Sequence, residues 1–241
     1  AQPKIDPAQL TTEGRTELQD KVPQVMVRRV WNVADVANND GDVLDLFSQV
    51  LGGSATSRLD KRLVYQDKLV DSIGSGNYGS QLGGMFYINA MVKKGVDPKQ
   101  VEAAIDDELK KLLKDGPTAE EMAQAKTGYN AQMVRGVERI GGFGGKADVL
   151  AACAIYENDP GCFRGALNAV ANATPASVRA VGQKWLAAPS HTFVVSPGER
   201  KPLAEEASAK PAPFVLAKPD AKYKTVASDV DRSKGVASVD Q

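Results

Sequence analysis

Residues 73–92 read IGSGNYGSQLGGMFYINAMV, and this stretch decides how the rest of the chain is organised. Its second half places Phe86, Ile88, Ala90 and Val92 on one face of an extended segment. Its first half is rich in glycine, and Gly83-Gly84 separates the two halves. A glycine-rich segment followed by an alternating one predicts a glycine-studded β-hairpin, in which two antiparallel strands pair.

The same stretch contains a dinucleotide-binding pattern, because Gly74–Gly79 spells G-x-G-x-x-G. In a nucleotide-binding fold this pattern joins a strand to a helix, and the helix N-terminus holds the pyrophosphate. Here the glycines lead into a strand instead. A second glycine-rich segment, Gly141–Lys146, is followed by Ala147 where a phosphate loop requires Ser or Thr. That segment predicts a hinge between two helices, and we expect no nucleotide cofactor.

Before the hairpin, the sequence predicts one strand and two helices. Val22–Val33 is rich in β-branched residues and predicts the strand. Apolar residues at helical spacing follow, and Gly52-Gly53 ends that helix. A second, short helix is predicted over Ser57–Asp67.

After the hairpin, the sequence is mainly helical. Helix starts are indicated by Asp97-Pro98, by the capping box Thr118–Glu121 and by Thr174-Pro175, and His191–Val195 predicts a final strand. This order of elements predicts an α+β fold, a mostly antiparallel sheet with helices packed on one face. We expect three segments: an extended lead-in over residues 1–21, a domain over 22–195, and a Pro-rich linker or tail over 196–241.

Composition excludes several classes of protein. The 241 residues include 30 basic and 30 acidic side chains, so the chain lacks the basic excess typical of a nucleic-acid partner. No stretch approaches the roughly 20 apolar residues of a membrane span, and we expect a soluble protein. The chain begins at Ala1 without an initiator Met, which predicts either a mature product or an excised segment.

Few residues could perform chemistry. His191 is the single histidine, and we interpret it as structural because one imidazole supplies neither a relay nor a metal site. We interpret Cys153 and Cys162 as two small buried apolar residues, the alternative being a disulfide in an oxidising compartment. The sequence therefore predicts no catalytic residue and no metal ligand in this chain.

An ordered series of short segments resembles the non-catalytic domain of the pitrilysin/insulinase-type zinc metallopeptidases, which include the mitochondrial processing peptidases. The resemblance runs from about residue 22 to residue 195. The segments are Leu46–Gly53, Ser57-Arg58-Leu59, Lys61–Leu63, the hairpin, Gly116–Met122, Asn158–Gly161 and Ala173–Val178. The tail at Val230–Ser233 also resembles the linker between the two halves of long bacterial members, which implies a segment of a larger protein in the bacterial periplasm or cell envelope.

The resemblance implies an accessory role in proteolysis. The family holds zinc with an H-x-x-E-H helix that belongs to the preceding domain, so the cofactor and the cleavage would lie there. This chain would form chamber wall and bind peptide beside the zinc-binding domain of the same or a partner chain. The alternative is a structural or partner subunit with no peptidase role, like the core subunits of the respiratory bc1 complex.

Two further family features are compared residue by residue. An Arg and a Tyr that contact the scissile carbonyl region in the family fall on Val64 and Asp71 here, and Arg58 and Tyr65 lie six residues too early to take that role. The strand entering the hairpin matches a peptide-docking exosite, which implies that Ser72, Ile73, Gly74, Ser75 and Gly76 bind a peptide by strand addition. The alternative is that these glycines merely permit a bulged, twisted hairpin.

Overall fold

A computed structural model describes residues 7–36 and 38–200 of the chain. Its strands are β1 (Gly14–Asp20), β2 (Met26–Val33), β3 (Val70–Ser80), β4 (Gly83–Val92) and β5 (His191–Pro197). Its α-helices are α1 (Asp40–Gly52), α2 (Pro98–Asp115), α3 (Ala119–Glu138), α4 (Lys146–Tyr156), α5 (Phe163–Asn172) and α6 (Pro175–Leu186). A short π-helix spans Asp60–Gln66, within the segment for which the sequence predicts a helix.

The five strands form one mixed sheet in the order β1-β5-β2-β4-β3. All neighbours are antiparallel except β1 and β5, which run parallel. The predicted α+β fold with a mostly antiparallel sheet is therefore confirmed. Strand β1 lies within the segment predicted to be an extended lead-in, and its pairing with β5 makes that segment part of the sheet.

Helices cover the face of the sheet that carries the alternating apolar residues of the hairpin. Phe86, Ile88, Ala90 and Val92 are almost fully buried, as their two-residue spacing predicts. Phe47 of α1 packs edge-on against Phe86, with ring centroids 6.0 Å apart. This contact fixes α1 over the hairpin and places it beside the strand that the sequence singled out.

The predicted helix starts are confirmed by their caps. Asp97 accepts a hydrogen bond from the Lys99 backbone N–H at 2.9 Å, with Pro98 at the first helical position. Thr118 and Thr174 each form a reciprocal capping box with the residue three positions later. These local signals were sufficient because a cap depends on neighbours in sequence only.

The hairpin has the predicted form, with Gln81 and Leu82 between the two strands. One register shift occurs at Asp71, between Val70 and Ser72, where one extra residue interrupts the ladder. The bulge therefore lies before the glycines and not at them.

Cys153 of α4 and Cys162, directly before α5, form a disulfide with their Cα atoms 5.3 Å apart. The interpretation of these residues as two free thiols was wrong. Their nine-residue separation does not by itself bring the sulfur atoms together, and the turn between α4 and α5 does so. The bond thus ties the two helices to each other.

The predicted Pro-rich tail lies almost wholly outside the described residues, because β5 runs to Pro197 and the description ends at residue 200. Among the helices of the described part, none is long and apolar enough to cross a membrane.

Candidate functional site

The five residues predicted to bind peptide lie on β3, at one edge of the sheet. Within the described residues β3 pairs with β4 and has no strand on its other side. Ser80 and Gly83 close the two-residue turn as the last pair of the ladder. The pair that closes a two-residue turn is hydrogen-bonded, and hydrogen-bonded and non-hydrogen-bonded pairs then alternate along an antiparallel ladder. Ser75 and Asn77 fall in non-hydrogen-bonded pairs, so their N–H and C=O groups point away from β4.

The side chains of the predicted site do not form one cluster. Ile73 is 8% exposed and belongs to the apolar core, whereas Ser72 is exposed. The Ser75 hydroxyl donates a hydrogen bond of 3.0 Å to the Ser48 carbonyl of α1. What Ser72–Gly76 can offer a ligand is therefore mainly backbone.

Two glycines let neighbouring groups of the chain pack closely against β3. A Cβ atom at Gly52, the last residue of α1, would lie 2.9 Å from the backbone nitrogen of Ser75. A side chain there would press on the amide that points away from β4. A Cβ atom at Gly76 would lie 2.6 Å from the Tyr87 hydroxyl, because that ring crosses the strand on the face opposite the helices.

A cavity of about 400 Å³ opens beside this edge. We call it the Asp45 cavity. It is bounded by α1, β3, α3 and the loop after α3, and its main polar lining residues are Asp45, Gln49, Ser75, Asn77, Tyr129 and Gln132. This cavity could not be predicted from the sequence, because its walls come from α1, β3 and α3, which only the folded chain brings together.

The Asn77 side chain extends from β3 to α1 and forms hydrogen bonds with it. Its amide nitrogen donates to the Gly41 carbonyl at 3.1 Å and to Asp45 Oδ1 at 3.2 Å. Its amide oxygen, Oδ1, is buried and has no hydrogen-bond partner among the described residues. A buried acceptor without a donor is unusual in a folded protein.

The carboxylates near this cavity are difficult to ionise. Burial raises the pKa of Asp45 to about 7, a hydrogen bond from Asn77 opposes the shift, and the Asp42 charge adds to it. Burial and the charge of Glu157 raise the pKa of Asp42 to about 6. Within the described part of the chain, no Lys or Arg forms an ion pair with Asp42 or Asp45.

Glu121 is a second half-buried carboxylate and, unlike Asp45, it is paired with a cation. Arg58 donates two parallel hydrogen bonds to Glu121, at 2.7 and 2.8 Å, and a third of 3.1 Å to the Gly116 carbonyl. Two of the segments that carry the family resemblance are thereby joined to each other. Because its guanidinium is engaged in this way, Arg58 acts as a structural residue.

The positions that match the family's Arg and Tyr have other roles. Val64 packs against the apolar core, and Asp71 accepts a hydrogen bond of 3.1 Å from Gln24. Tyr65 is 57% exposed. None of the three forms part of the Asp45 cavity.

The residues of this chain do not fit the zinc of the family. His191 Nε2 lies 2.8 Å from the Thr16 hydroxyl, and the imidazole stacks on Phe193. Both cysteines are bonded to each other. In the described ranges, no group of three His, Cys, Asp or Glu side chains could hold a metal ion.

Comparison with known proteins identifies the family. The family model described as the peptidase M16 inactive domain matches residues 1–129, which is more than half of the chain. The chain therefore belongs to the peptidase M16 inactive-domain family, and the predicted resemblance is confirmed. No curated protein matches the sequence.

Solved structures share the fold. The peptidase M16 inactive domain from Pseudomonas fluorescens has a TM-score of 0.68 and 21% identity, over 84% of this chain and 48% of that one. An inactive peptidase domain assigned to a zinc protease of Bordetella parapertussis has a TM-score of 0.64 and 19% identity, over 78% and 98% of the two chains. The periplasmic protease PqqL from Escherichia coli has a TM-score of 0.62 and 13% identity, over 78% and 21%.

These identities establish the fold alone. The chain spans about half the length of the Pseudomonas fluorescens protein, whereas it matches nearly the whole of the Bordetella parapertussis domain.

Proposed function

We propose that this chain is the non-zinc-binding, peptide-docking domain of a zinc endopeptidase. In this proposal it forms part of the wall of the proteolytic chamber and binds an extended peptide along Ser72–Gly76. The observation that carries the proposal is the position of β3 at a sheet edge, with the amide of Ser75 turned away from its partner strand.

Strand addition suits this edge for a physical reason. An added peptide bonds through backbone N–H and C=O groups, so it can be held irrespective of most of its side chains. An edge strand presents those groups unpaired. Family membership supplies the context of proteolysis.

The zinc and the cleavage belong to a catalytic domain in the same chain or in a partner chain. We assign no zinc ligand to this chain, because a single histidine cannot form the H-x-x-E-H motif of the family. Its contribution is to bind and orient the peptide, which raises the local concentration of the scissile bond at a distant zinc.

The proposed location is the bacterial periplasm. Two observations support it: disulfides persist in oxidising compartments, and one structural neighbour is a periplasmic protease. Thiol titration of the protein isolated from its natural host tests this. One disulfide and no free thiol is expected, and two free thiols in the native protein would contradict the location.

The docking edge is tested in the full-length enzyme with a Ser75→Pro variant. Proline removes the N–H that turns away from β4, so KM for a peptide substrate should rise about tenfold while zinc content is unchanged. Ser75→Ala is the matched control, because it removes only the hydroxyl bond to Ser48 and keeps the N–H.

A second measurement covers the case in which Ser75→Pro does not fold. Substrate peptides are N-methylated at one residue after another, and the wild-type enzyme is assayed with each. Strand addition predicts that methylation weakens binding at alternate residues, since only every second N–H faces β3. Equal KM values for all the methylated peptides would refute docking at this edge.

The alternative is a structural subunit with no peptidase role. The sequence of the adjoining domain separates the two functions. An H-x-x-E-H segment there, together with chelator-sensitive cleavage by the full-length protein, supports the peptidase, and the absence of both supports the structural subunit.

A further inference from the structure

The loop between α3 and α4 carries the most exposed apolar side chains of the described part of the chain. We call residues 139–145 the Phe143 loop. The side chain of Phe143 is 98% exposed and that of Ile140 is 79% exposed, whereas no other large apolar residue in the described ranges is more than 63% exposed. A Phe ring in water forgoes the stabilisation that burial would give it, so a partner that covers the ring gains that stabilisation.

The Phe143 loop is held in one form by hydrogen bonds to neighbouring residues. The Gly144 N–H donates to the Asp148 carboxylate at 2.8 Å, and the Arg139 guanidinium donates to the Phe143 carbonyl at 3.1 Å. Where the chain enters α4, the Lys146 N–H donates to the Arg139 carbonyl at 2.8 Å. Phe143 therefore projects from an ordered loop.

Glycines on both sides of Phe143 permit this form. Gly142 and Gly144 have φ angles of 82° and 70°, a region that favours glycine. A Cβ atom at Gly145 would lie 2.5 Å from the Gly141 carbonyl oxygen. The backbone that surrounds Phe143 thus holds an aromatic side chain outward, and rigid aromatic side chains with few rotatable bonds are efficient contacts at protein interfaces.

The Phe143 loop also lies at the rim of the Asp45 cavity. Gly144 lines this cavity together with Ser75 and Asn77 of β3. In the proposed function a peptide lies along β3, so the domain that carries the zinc has to approach this side of the molecule. A side chain that projects from the rim is then placed to contact that domain.

The size of a related protein agrees with such a partner. The chain matches 48% of the Pseudomonas fluorescens protein, which therefore has about as much chain again outside the match. A segment of that length is large enough to form a second domain with its own apolar core. A pocket at the surface of such a core is the kind of site that an aromatic anchor fills.

We propose that Phe143, assisted by Ile140, inserts into an apolar pocket of the zinc-binding domain and holds that domain over β3. The inference rests on the proposed function for the identity of the partner. Phe143 is a positioning residue in this account: it contacts neither the zinc nor the peptide, and it sets where the zinc lies relative to the docked peptide.

The contact is tested in the full-length enzyme by replacing Phe143 with the photo-reactive analogue p-benzoylphenylalanine. After irradiation, mass spectrometry identifies the segment that is crosslinked, and we expect it to belong to the zinc-binding domain. The same analogue at Tyr65, which is exposed and lies outside the cavity, is the control and should give no such crosslink. A crosslink from position 143 to a second copy of the chain or to another protein, no crosslink at all, or an equal crosslink from position 65 would overturn the inference.

The positioning role is tested by peptide cleavage. Phe143→Ser should lower kcat about tenfold and leave KM nearly unchanged, because it removes an interface anchor and leaves β3 intact. Phe143→Leu keeps an apolar side chain and should restore most of the activity, and Tyr65→Ser should have no effect. Circular dichroism verifies that each variant is folded. An unchanged kcat in Phe143→Ser, or a loss that Phe143→Leu does not reverse, would refute the role.

Failure of this inference can be separated from failure of the docking proposal. If N-methylation weakens peptide binding at alternate residues but Phe143 does not crosslink to the zinc-binding domain, docking on β3 stands and the anchor is refuted. If all the methylated peptides bind equally and Phe143 still crosslinks to that domain, docking on β3 is refuted and the contact between the domains stands.

Discussion

The Arg58–Glu121 pair and the Asp45 cavity place similar groups in opposite circumstances. In both, a carboxylate of a helix is partly buried against another element. Glu121 receives two hydrogen bonds from a guanidinium, and its pKa is lowered: burial raises it, but the bonds from Arg58 and from the Thr118 backbone lower it more. Asp45 receives one hydrogen bond from a neutral amide, and burial raises its pKa to about 7.

The difference separates a carboxylate that is paired with a cation from one that has no counter-charge. A carboxylate that is fully paired with Arg contributes to the fold and has nothing left to offer a ligand. A buried carboxylate without a counter-charge destabilises the folded state. The two sites also depend on pH in opposite directions, which makes the comparison measurable.

The largest expected effect comes from removing the partner of Glu121. Arg58→Ala leaves that carboxylate partly buried without its cation and should lower the free energy of unfolding by about 3 kcal/mol at pH 7. Urea unfolding measures it. Lys111→Ala is the control, since that lysine is largely exposed and its pair with Glu108 should contribute less than about 1 kcal/mol.

The pH dependence of this loss follows from the lowered pKa. In the folded wild type Glu121 stays ionised to a lower pH than in the unfolded chain, so its stabilisation is present above the ordinary carboxyl pKa and is lost as pH falls. The wild type and Arg58→Ala should therefore converge in stability toward acid pH. An equal difference at pH 3 and pH 7 would show that the loss is one of packing alone.

The next largest expected effect is an increase in the free energy of unfolding. Asp45→Asn should raise the free energy of unfolding by about 2 kcal/mol at pH 8 and leave it nearly unchanged at pH 4. The folded protein keeps the Asp45 proton up to about pH 7, whereas the unfolded chain releases it near its ordinary value of 3.8. Stability from this group is therefore greatest at low pH and decreases as pH rises.

Urea unfolding at several pH values verifies this, and Asp42→Asn gives a graded comparison. Its pKa is raised less, to about 6, so its stabilisation should be smaller and should appear over a lower pH range. A destabilising Asp45→Asn at pH 8 would mean that the ionised carboxylate is paired in solution.

The smallest expected effect comes from giving Asp45 a cationic neighbour, as Glu121 has in Arg58. Gln49 follows Asp45 by one helical turn and lines the same cavity, so Gln49→Lys places an ammonium near the carboxylate. The pKa of Asp45, measured by NMR titration, should fall, with a gain in stability of about 0.5 kcal/mol at pH 8. Gln49→Met, a neutral side chain of similar length, is the control, and an Asp45 pKa that does not change in Gln49→Lys would contradict the assigned geometry.

Much of the fold could be predicted, because its signals are local. Thr118 and Thr174 mark helix starts by bonding to residues three positions away, and Phe86 and Ile88 show the buried face of β4 by their spacing. Pairings between residues that are distant in sequence leave no such local signal, and this is why the strand β1 was not predicted. The strand Gly14–Asp20 joins the sheet only through β5, some 177 residues later, and the sequence near it gives no sign of that partner.

The sequence also limited the chemistry of this chain. One histidine and two cysteines could not build the zinc site of the family, and the order of the short segments was sufficient to identify the family itself. The glycines at 74, 76 and 79 indicated a hairpin and excluded a nucleotide turn, because the residues after them alternate. These conclusions need only the identity and spacing of residues.

Tertiary structure alone decided the surroundings of each charge. Asp45 and Glu121 are both acidic residues of amphipathic helices, and nothing in their sequence neighbourhoods indicates that one is paired and the other is not. Arg58 reaches Glu121 across 63 positions, and Asn77 reaches Asp45 across 32. The state of a carboxyl group depends on the charges, donors and solvent within a few ångströms of it, and only the folded chain sets those distances.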